Sequence, residues 1–232
     1  MKITPTLLNK LKKIQLFDGL NQTDIKRMSE YFEEVSYGPH HYIFHEKTQG
    51  HTLYVIIEGH VKIEHSDARS GRRNTLAILS AGDCFGEIAI VSDMSRTAGA
   101  KAVETVALLV IEEENFLELV SNYPLIAKNL LKSMAKKLYS ADRIIEGLIF
   151  KNLEARLASK LLDLSEKFGE THDDGRITIT IALSHFDLAE LIGTNRETVT
   201  RILSQLKKDE CIATQRKKIT VIDKKKLKGW VK

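Results

Sequence analysis

Apolar positions along the chain change their spacing three times. Over residues 1–34, Leu7, Leu8, Leu11, Ile14 and Leu16 fall near helical spacing, and Asn21–Glu30 starts a second short helix that Tyr37-Gly38-Pro39 closes. From residue 40 to 111 the runs become short and β-rich: His41–Phe44, Leu53–Ile57, Val61–His65, Thr75–Leu79 and Val106–Ile111. Glycines 50, 59, 71, 82 and 86 punctuate them, and Glu58-Gly59 joins two runs by a minimal turn. Several short strands with regular turn signals predict a small antiparallel barrel or sandwich.

From Pro124 the period turns helical for a long stretch. Leu131, Met134, Leu138, Ala141, Ile145 and Leu148 form a heptad seam of nearly three repeats, with no glycine until Gly147. So narrow a seam suits a parallel two-helix coiled coil, which makes these six residues the expected dimer interface. A second apolar line, Ile126, Leu130, Ala135 and Ile144, is expected to face the helix's own barrel. A core helix in a monomer is the alternative. Two apolar lines favour the homodimer, because the barrel covers one and the other needs a partner.

Residues 151–232 read as helices followed by a short β pair. Leu153–Phe168 is amphipathic, Gly169–Gly175 is a polar loop, and Arg176–Ile181 alternates as a strand. Two helices separated by Gly193 follow, and then Ile212–Thr214 and Ile219–Ile222 flank the basic turn Gln215–Lys218. Trp230 is expected to plug the core at the last helix. The fold class is therefore α+β, with segments 1–122, 123–150 and 151–232.

Composition narrows the function. The chain has 232 residues and is 43% hydrophobic, enough for a real core and for one large or two modest domains. Cys84 and Cys211 lie too far apart in sequence for a CxxC metal knuckle, do not read as a disulfide framework, and fit a reducing, cytoplasmic compartment. Cys84 reads as a small buried residue. The longest apolar run, Val106–Ile111, falls far short of the roughly 20 residues of a membrane span, and the lysine-studded first twenty residues carry no secretory signal. No membrane partner is expected. His40, His41, His45 and His51 cluster without metal-ligand spacing, so no metal is expected. No Ser/His/Asp or Cys/His set argues for an enzyme.

The net charge of +4 is unevenly placed. Residues 1–150 carry 18 basic and 19 acidic groups, residues 151–232 carry 17 and 12, and residues 205–232 alone carry 10 and 3. A basic end on a near-neutral body points to an anionic polymer or surface; a solvated lysine-rich tail is the plain alternative.

Residues 184–218 give that charge a geometry. Leu188, Leu191 and Ile192 form the apolar face of one helix, Gly193 allows a tight turn, and Asn195 can cap the next helix. Val199, Ile202, Leu203 and Leu206 form the second helix's inner face, leaving Arg196, Glu197, Thr200 and Arg201 outside. A helix-turn-helix sets such a face in the DNA major groove. There Arg bonds guanine O6 and N7, and Glu accepts from cytosine N4. Ser184, Asn195 and Thr198 can donate to phosphates, and Arg216, Lys217 and Lys218 form a wing for the backbone. An ordinary surface helix pair is the competing reading.

A second motif lies upstream: Gly82-Asp-Cys-Phe-Gly-Glu-Ile-Ala-Ile, then Met94-Ser-Arg-Thr-Ala98. Gly86 lets backbone amides approach an anion, and a helix opening after it, through Ile88 and Ala89, favours phosphate. Glu87 can accept from a ribose 2′-hydroxyl, Arg96 can make a charge-assisted bond to a phosphate, and Thr97, before Ala98, adds a hydroxyl. Alternatively, Glu87 and Arg96 simply pair with each other.

Gly-Thr-Asn-Arg-Glu-Thr-Val-Thr-Arg-Ile-Leu closely resembles the recognition segment of the CRP/FNR family of transcription regulators, in its cyclic AMP receptor branch, and the likeness covers nearly the whole chain. The upstream motif resembles the phosphate-binding cassette of cyclic nucleotide-binding domains, with Ser95 where a proline often stands. The resemblance implies a jelly-roll-like cyclic-nucleotide-binding β-barrel, a long dimerisation helix and a winged helix-turn-helix. It places Arg196, Glu197 and Arg201 at the base-reading positions of a two-fold site with TGTGA-like halves. Double-stranded DNA, a second copy and RNA polymerase are the implied partners. Lys137 joins the implied ligand set, and alignment through Tyr123-Pro124 and Met134–Leu138 puts Ala141-Asp142 where the family reads the nucleotide base. Ala141 cannot hydrogen-bond through its side chain, and ionised Asp142 is only an acceptor. Cyclic AMP is expected first and cyclic GMP second. A regulator with another effector or none, and a cyclic-nucleotide-sensing regulatory subunit, are the alternatives.

Overall fold

The computed structural model describes residues 5–66, 73–92, 94–215 and 217–231, with side chains from residue 8 onward. It divides into two compact units, one ending at Tyr139 and the other starting at Ser140.

The first unit opens with helices α1 (Pro5–Leu11) and α2 (Gln22–Met28) and strands β1 (Glu33–Tyr37), β2 (Tyr42–Phe44), β3 (Thr52–Glu58), β4 (His60–Ser66), β5 (Arg73–Ser80) and β6 (Cys84–Phe85). It continues through α3 (Glu87–Ser92), β7 (Gly99–Ala102), β8 (Val106–Glu112), α4 (Glu113–Asn122) and the long α5 (Pro124–Phe150), whose last turns belong to the second unit. The strands form two antiparallel four-stranded sheets, ordered β1-β8-β3-β6 and β2-β7-β4-β5.

The apolar runs on β3 and β8 are uninterrupted because both faces of the first sheet are covered. Leu53, Val55, Ile57, Leu109 and Ile111 pack against Leu11, Phe17, Met28, Leu119 and Ile126 on the helical side. Tyr54, Ile56, Val106 and Leu108 pack against Val61, Leu79, Ala100 and Ala102 of the second sheet. The turn at Glu58-Gly59 is present, but its two strands lie in different sheets. Gly59 has φ +84°, and a Cβ there would stand 2.6 Å from the Thr105 carbonyl oxygen.

Residues 33–34 were expected to continue the helical segment; instead they start β1, which pairs with β8 from Glu33↔Val110 to Tyr37↔Val106. The helix has already ended at Ser29–Tyr31, a 3-10 turn, and Phe32 buries itself behind it. Strand β7 has no β-branched signal, because the space between the sheets at Ala100 and Ala102 admits only small side chains.

Along α5, Ile126, Asn129 and Leu130 are buried, and the Asn129 amide donates to the Leu16 and Asp18 carbonyls. The expected second apolar line stops there. Within the first unit Ala135 is exposed, and partly buried Met134 is the last apolar α5 side chain packed on that unit's core; Ile144, in the second unit, is 42% exposed. Of the heptad seam, Leu131, Leu138, Ile145 and Leu148 are each more than half exposed.

The second unit contains α6 (Leu153–Phe168), β9 (Gly169–Thr171), β10 (Ile177–Ile179), α7 (His185–Ile192), α8 (Arg196–Lys208), β11 (Ile212–Gln215), β12 (Lys218–Val221) and α9 (Lys224–Gly229). Asn152 caps α6, accepting from the Ala155 amide at 2.8 Å. The four strands make one antiparallel sheet, β11-β12-β10-β9. Residues 169–171, expected within a loop, pair with β10 from Gly169↔Ile179 to Thr171↔Ile177; their side chains are exposed, so they carry no apolar pattern. Trp230 is only half-buried, and Leu227 on α9 fills the core in its place. Among the described residues, no helix is long and apolar enough to cross a membrane.

Candidate functional site

Two sites emerge, one in each unit. In the first, Gly86 ends β6 with φ +83° and α3 begins at once with Glu87. Arg96 lies between α3 and β7, its backbone held by Thr48 and Lys47 through bonds of 2.8 and 2.7 Å. Its guanidinium donates to the Gly86 carbonyl at 2.9 Å, to the Thr52 carbonyl at 2.9 Å and to Thr52 Oγ1 at 2.6 Å. The Phe44 ring lies 4.3 Å from Cζ and the Tyr54 ring 5.7 Å, and Tyr54 stacks on Phe85.

Arg96 is only 3% exposed, and among the described residues no carboxylate comes within ion-pair distance of it. Its Nε is buried and has no hydrogen-bond partner among the described residues. Burial accordingly pushes the guanidinium below its ordinary pKa. A buried cation without a counter-ion is unfavourable, and a donor without an acceptor adds to that cost. Two glycines make the seat. A Cβ at Gly50 would stand 2.3 Å from Arg96 Nε, and one at Gly86 2.6 Å from Nη1. An anion beside it would supply the counter-charge and the acceptor that the guanidinium lacks among the described residues.

Glu87 and Arg96 do not pair. Glu87, itself 6% exposed, accepts from Lys137 Nζ at 2.9 Å, and the same ammonium donates to the Cys84 carbonyl at 2.8 Å. Lys137 thus ties α5 to the strand and helix on either side of Gly86. Ala89 and Ala98 are buried, Ile88 is 39% exposed and Thr97 is exposed. Cys84 is buried, which pushes its thiol pKa up. Ala141 and Asp142 are exposed positions on α5 in the second unit. Sequence reasoning missed Phe44, Gly50, Thr52 and Tyr54, which carry no motif of their own. Among the described residues, no three His, Cys, Asp or Glu side chains gather as a metal-ligand set.

In the second unit, Ser184 caps α7 through a capping box: its Oγ accepts from the Asp187 amide, and the Asp187 carboxylate accepts from the Ser184 amide. Gly193 ends α7 in the left-handed conformation, φ +67°, and Arg156 of α6 donates to the Ile192 carbonyl beside it. Asn195 caps α8, accepting from the Thr198 amide at 2.8 Å. Val199, Ile202, Leu203 and Leu206 are buried, whereas on α7 Leu188, Ala189 and Ile192 are buried and Leu191 only partly so.

Arg196, Glu197, Thr200 and Arg201 are exposed on α8. Thr200 Oγ1 lies 2.7 Å from His185 Nδ1, and Arg201 donates to Glu154 on α6 at 2.9 Å. Between α7, α8 and the β11–β12 wing runs a cleft of about 460 Å³, bordered by Ser184, His185, Phe186, Arg196, Lys217 and Lys218 and, among the described residues, by no acidic side chain. Arg216, expected in the wing, lies outside the described residues. His185 is pulled below its ordinary pKa by burial and by the neighbouring Arg196 and Lys207 charges. Glu154, Arg156 and His185 carried no signal in the sequence, since each acts through a contact distant along the chain.

A buried guanidinium uncompensated among the described residues of a two-sheet unit, followed by a capped helix-turn-helix with a basic wing, is the make-up of a ligand-binding domain joined to a DNA-binding one. Residues 34–123 match the cyclic nucleotide-binding domain family, and residues 155–230 match the Crp-like helix-turn-helix domain. The chain is 31% identical over 188 residues to a CRP-like cAMP-activated global transcriptional regulator of Mycobacterium tuberculosis, covering 81% of this chain and 83% of that one. It is 32% identical, with the same coverage, to a cyclic AMP receptor protein of Thermus thermophilus. A crystal structure of a CRP/FNR family transcriptional regulator from Thermus thermophilus superposes with TM-score 0.72 at 30% identity, covering 86% of this chain and 98% of that one. The chain belongs to the CRP/FNR family of DNA-binding transcription regulators.

Proposed function

We propose that this regulator binds a cyclic nucleotide at the Arg96 cradle and, as a homodimer, reads a palindromic DNA site with TGTGA-like halves. The observation that carries the sensor half is Arg96: a buried guanidinium with, among the described residues, no carboxylate partner and an unpaired Nε. Such a group supplies charge and a free donor to a cyclic phosphate. Gly86, Ile88 and Ala89 form the phosphate-facing turn, Glu87 accepts from the ribose hydroxyl while Lys137 holds it, and Thr97 and Ala98 close the cassette.

Cyclic AMP is the first choice, because relatives in two organisms are named for it. Cyclic GMP is second: Asp142 beside Ala141, as an acceptor when ionised, can take a hydrogen from adenine N6 or from guanine N1 and N2, so guanine is accommodated too.

Residues 1–122 act as sensor, 123–150 as dimerisation helix and hinge, and 151–232 as reader. Leu131, Met134, Leu138, Ala141, Ile145 and Leu148 meet their counterparts in the partner subunit. Nucleotide contact with the long helix shifts a pre-existing equilibrium toward the form whose two recognition helices stand about 34 Å apart. Arg196, Glu197 and Arg201 read bases. Ser184, Asn195, Thr198, Arg216, Lys217 and Lys218 hold the backbone, and Thr200 lies on the groove-facing side of α8. RNA polymerase is the further partner and the cytoplasm the compartment.

Calorimetry with cyclic AMP and cyclic GMP, using Arg96→Ala as control, tests the sensor. Absence of binding by both nucleotides at millimolar concentration sinks it. Fluorescence anisotropy on TGTGA-containing and scrambled duplexes tests the reader; equal affinities contradict base reading.

A further inference from the structure

Arg201, one of the exposed cations on α8, is not free. Its guanidinium donates to Glu154 Oε1 at 2.9 Å, reaching from the recognition helix to the first turn of α6. Glu154 is fixed from two sides. Arg201 bonds its carboxylate, and its own amide at the start of α6 bonds it as well; both hold it below the usual carboxylate range. A helix N-terminus favours a negative charge, so the carboxylate remains ionised where it is. Arg201 therefore faces a choice between Glu154 and any acceptor on the DNA.

That choice discriminates between acceptors. A guanine edge offers Arg two acceptors at once, O6 and N7, in a fixed geometry. A backbone phosphate in a non-cognate complex offers charge without that match, and water and counter-ions screen it. Contact with a guanine repays the loss of the ion pair; a loose phosphate contact does not. The neighbouring exposed arginine, Arg196, borders the wing cleft and has no ion-pair partner among the described residues.

We propose that Glu154 is a specificity-determining residue, whose ion pair keeps Arg201 off the DNA backbone and releases it to a guanine edge. The proposal rests on the DNA-reading function above. It concerns how that function rejects wrong sequences rather than whether it exists.

The test uses the full-length protein with cyclic AMP at millimolar concentration. The preferred duplex is first selected from a randomised pool by the wild type. Affinities for that duplex and for a scrambled one are then measured over a range of salt for wild type, Glu154→Gln, Arg201→Ala and the double variant. Glu154→Gln should tighten the scrambled complex about threefold to fivefold, the scale of an exposed ion pair. It should steepen that complex's salt dependence by about one released ion per subunit, and change the selected complex less, so the specificity ratio falls. In the Arg201→Ala background the same substitution should leave the ratio unmoved. An unchanged ratio in Glu154→Gln overturns the proposal. So does an equal fall with and without Arg201, because the carboxylate would then act on the duplex directly. If the pool yields no preferred sequence, the DNA-reading function itself fails, an outcome distinct from either.

Discussion

The Arg96 guanidinium lies across the bare α-carbon of Gly50, where a Cβ would stand 2.3 Å from Nε and 2.6 Å from Cζ. No left-handed backbone accompanies this glycine, so alanine meets only a shortage of space. Gly50→Ala should displace Arg96 and weaken cyclic nucleotide binding nearly as much as Arg96→Ala. Losing a charge-assisted hydrogen bond is worth about 1.5–3 kcal/mol, or roughly ten- to a hundredfold. Calorimetry on Gly50→Ala checks this. Gly229→Ala serves as control, since nothing lies within 4 Å of a Cβ there. Wild-type affinity in Gly50→Ala would show that the anion is held elsewhere.

Lys137 and Glu87 should prove coupled in stability. Lys137→Met leaves a nearly buried carboxylate without its ammonium and the Cys84 carbonyl without its donor. An unsatisfied buried group costs about 1–3 kcal/mol. Adding Glu87→Gln removes the stranded charge and should restore part of that loss. Urea unfolding of the two single variants and the double measures the coupling; strictly additive effects would mean that the pair does not act as a unit.

What was legible along the chain depended on how local its cause is. The four inward positions of α8, the Gly193 turn and the Asn195 cap were all readable, because a capped helix pair is specified within about one turn of each residue. Strands β7 and β9 were not. One is made of small residues selected by the gap between two sheets, and the other is exposed and held only by its partner strand. The cassette divides the same way. Arg96 stood out as part of a motif that resembles a phosphate-binding cassette, whereas its seat is built by Gly50, Thr52 and Phe44, brought there by the fold. The Lys137–Glu87 bond spans 50 positions, which no periodicity encodes.

The α5 seam should be the subunit interface. Leu138 is 66% exposed and Ile145 54% exposed, and both are heptad positions. Exposed leucines at that spacing are buried by a partner helix in a coiled coil. Leu138→Asp should convert dimer to monomer at micromolar concentration and reduce affinity for a two-half-site duplex by at least about tenfold, since one half-site is then lost. Sedimentation velocity and anisotropy report the two effects. Leu117→Asp is the control, because Leu117 is 58% exposed on α4, away from the seam. An unchanged dimer in Leu138→Asp would remove the seam from consideration.

His185 should make DNA binding and stability respond to pH in opposite directions. Its pKa in the folded protein is pulled below the unfolded value of about 6.5, first by burial and then by the Arg196 and Lys207 charges. Between the folded and unfolded values the unfolded chain binds more protons. The stability contributed by neutral His185 is therefore complete above about 6.5 and is lost as pH falls through the folded value. Phosphates entering the cleft that His185 borders would reverse the sign of its surroundings and raise its pKa. Binding would then take up a proton, and affinity for duplex should increase as pH falls from about 6.5 while the free protein loses stability. NMR titration of His185, free and DNA-bound, gives the two pKa values. Anisotropy across the same pH range, with His185→Gln alongside, gives the linked affinity. If His185→Gln keeps the wild-type pH slope, the proton goes elsewhere and the cleft does not receive the backbone.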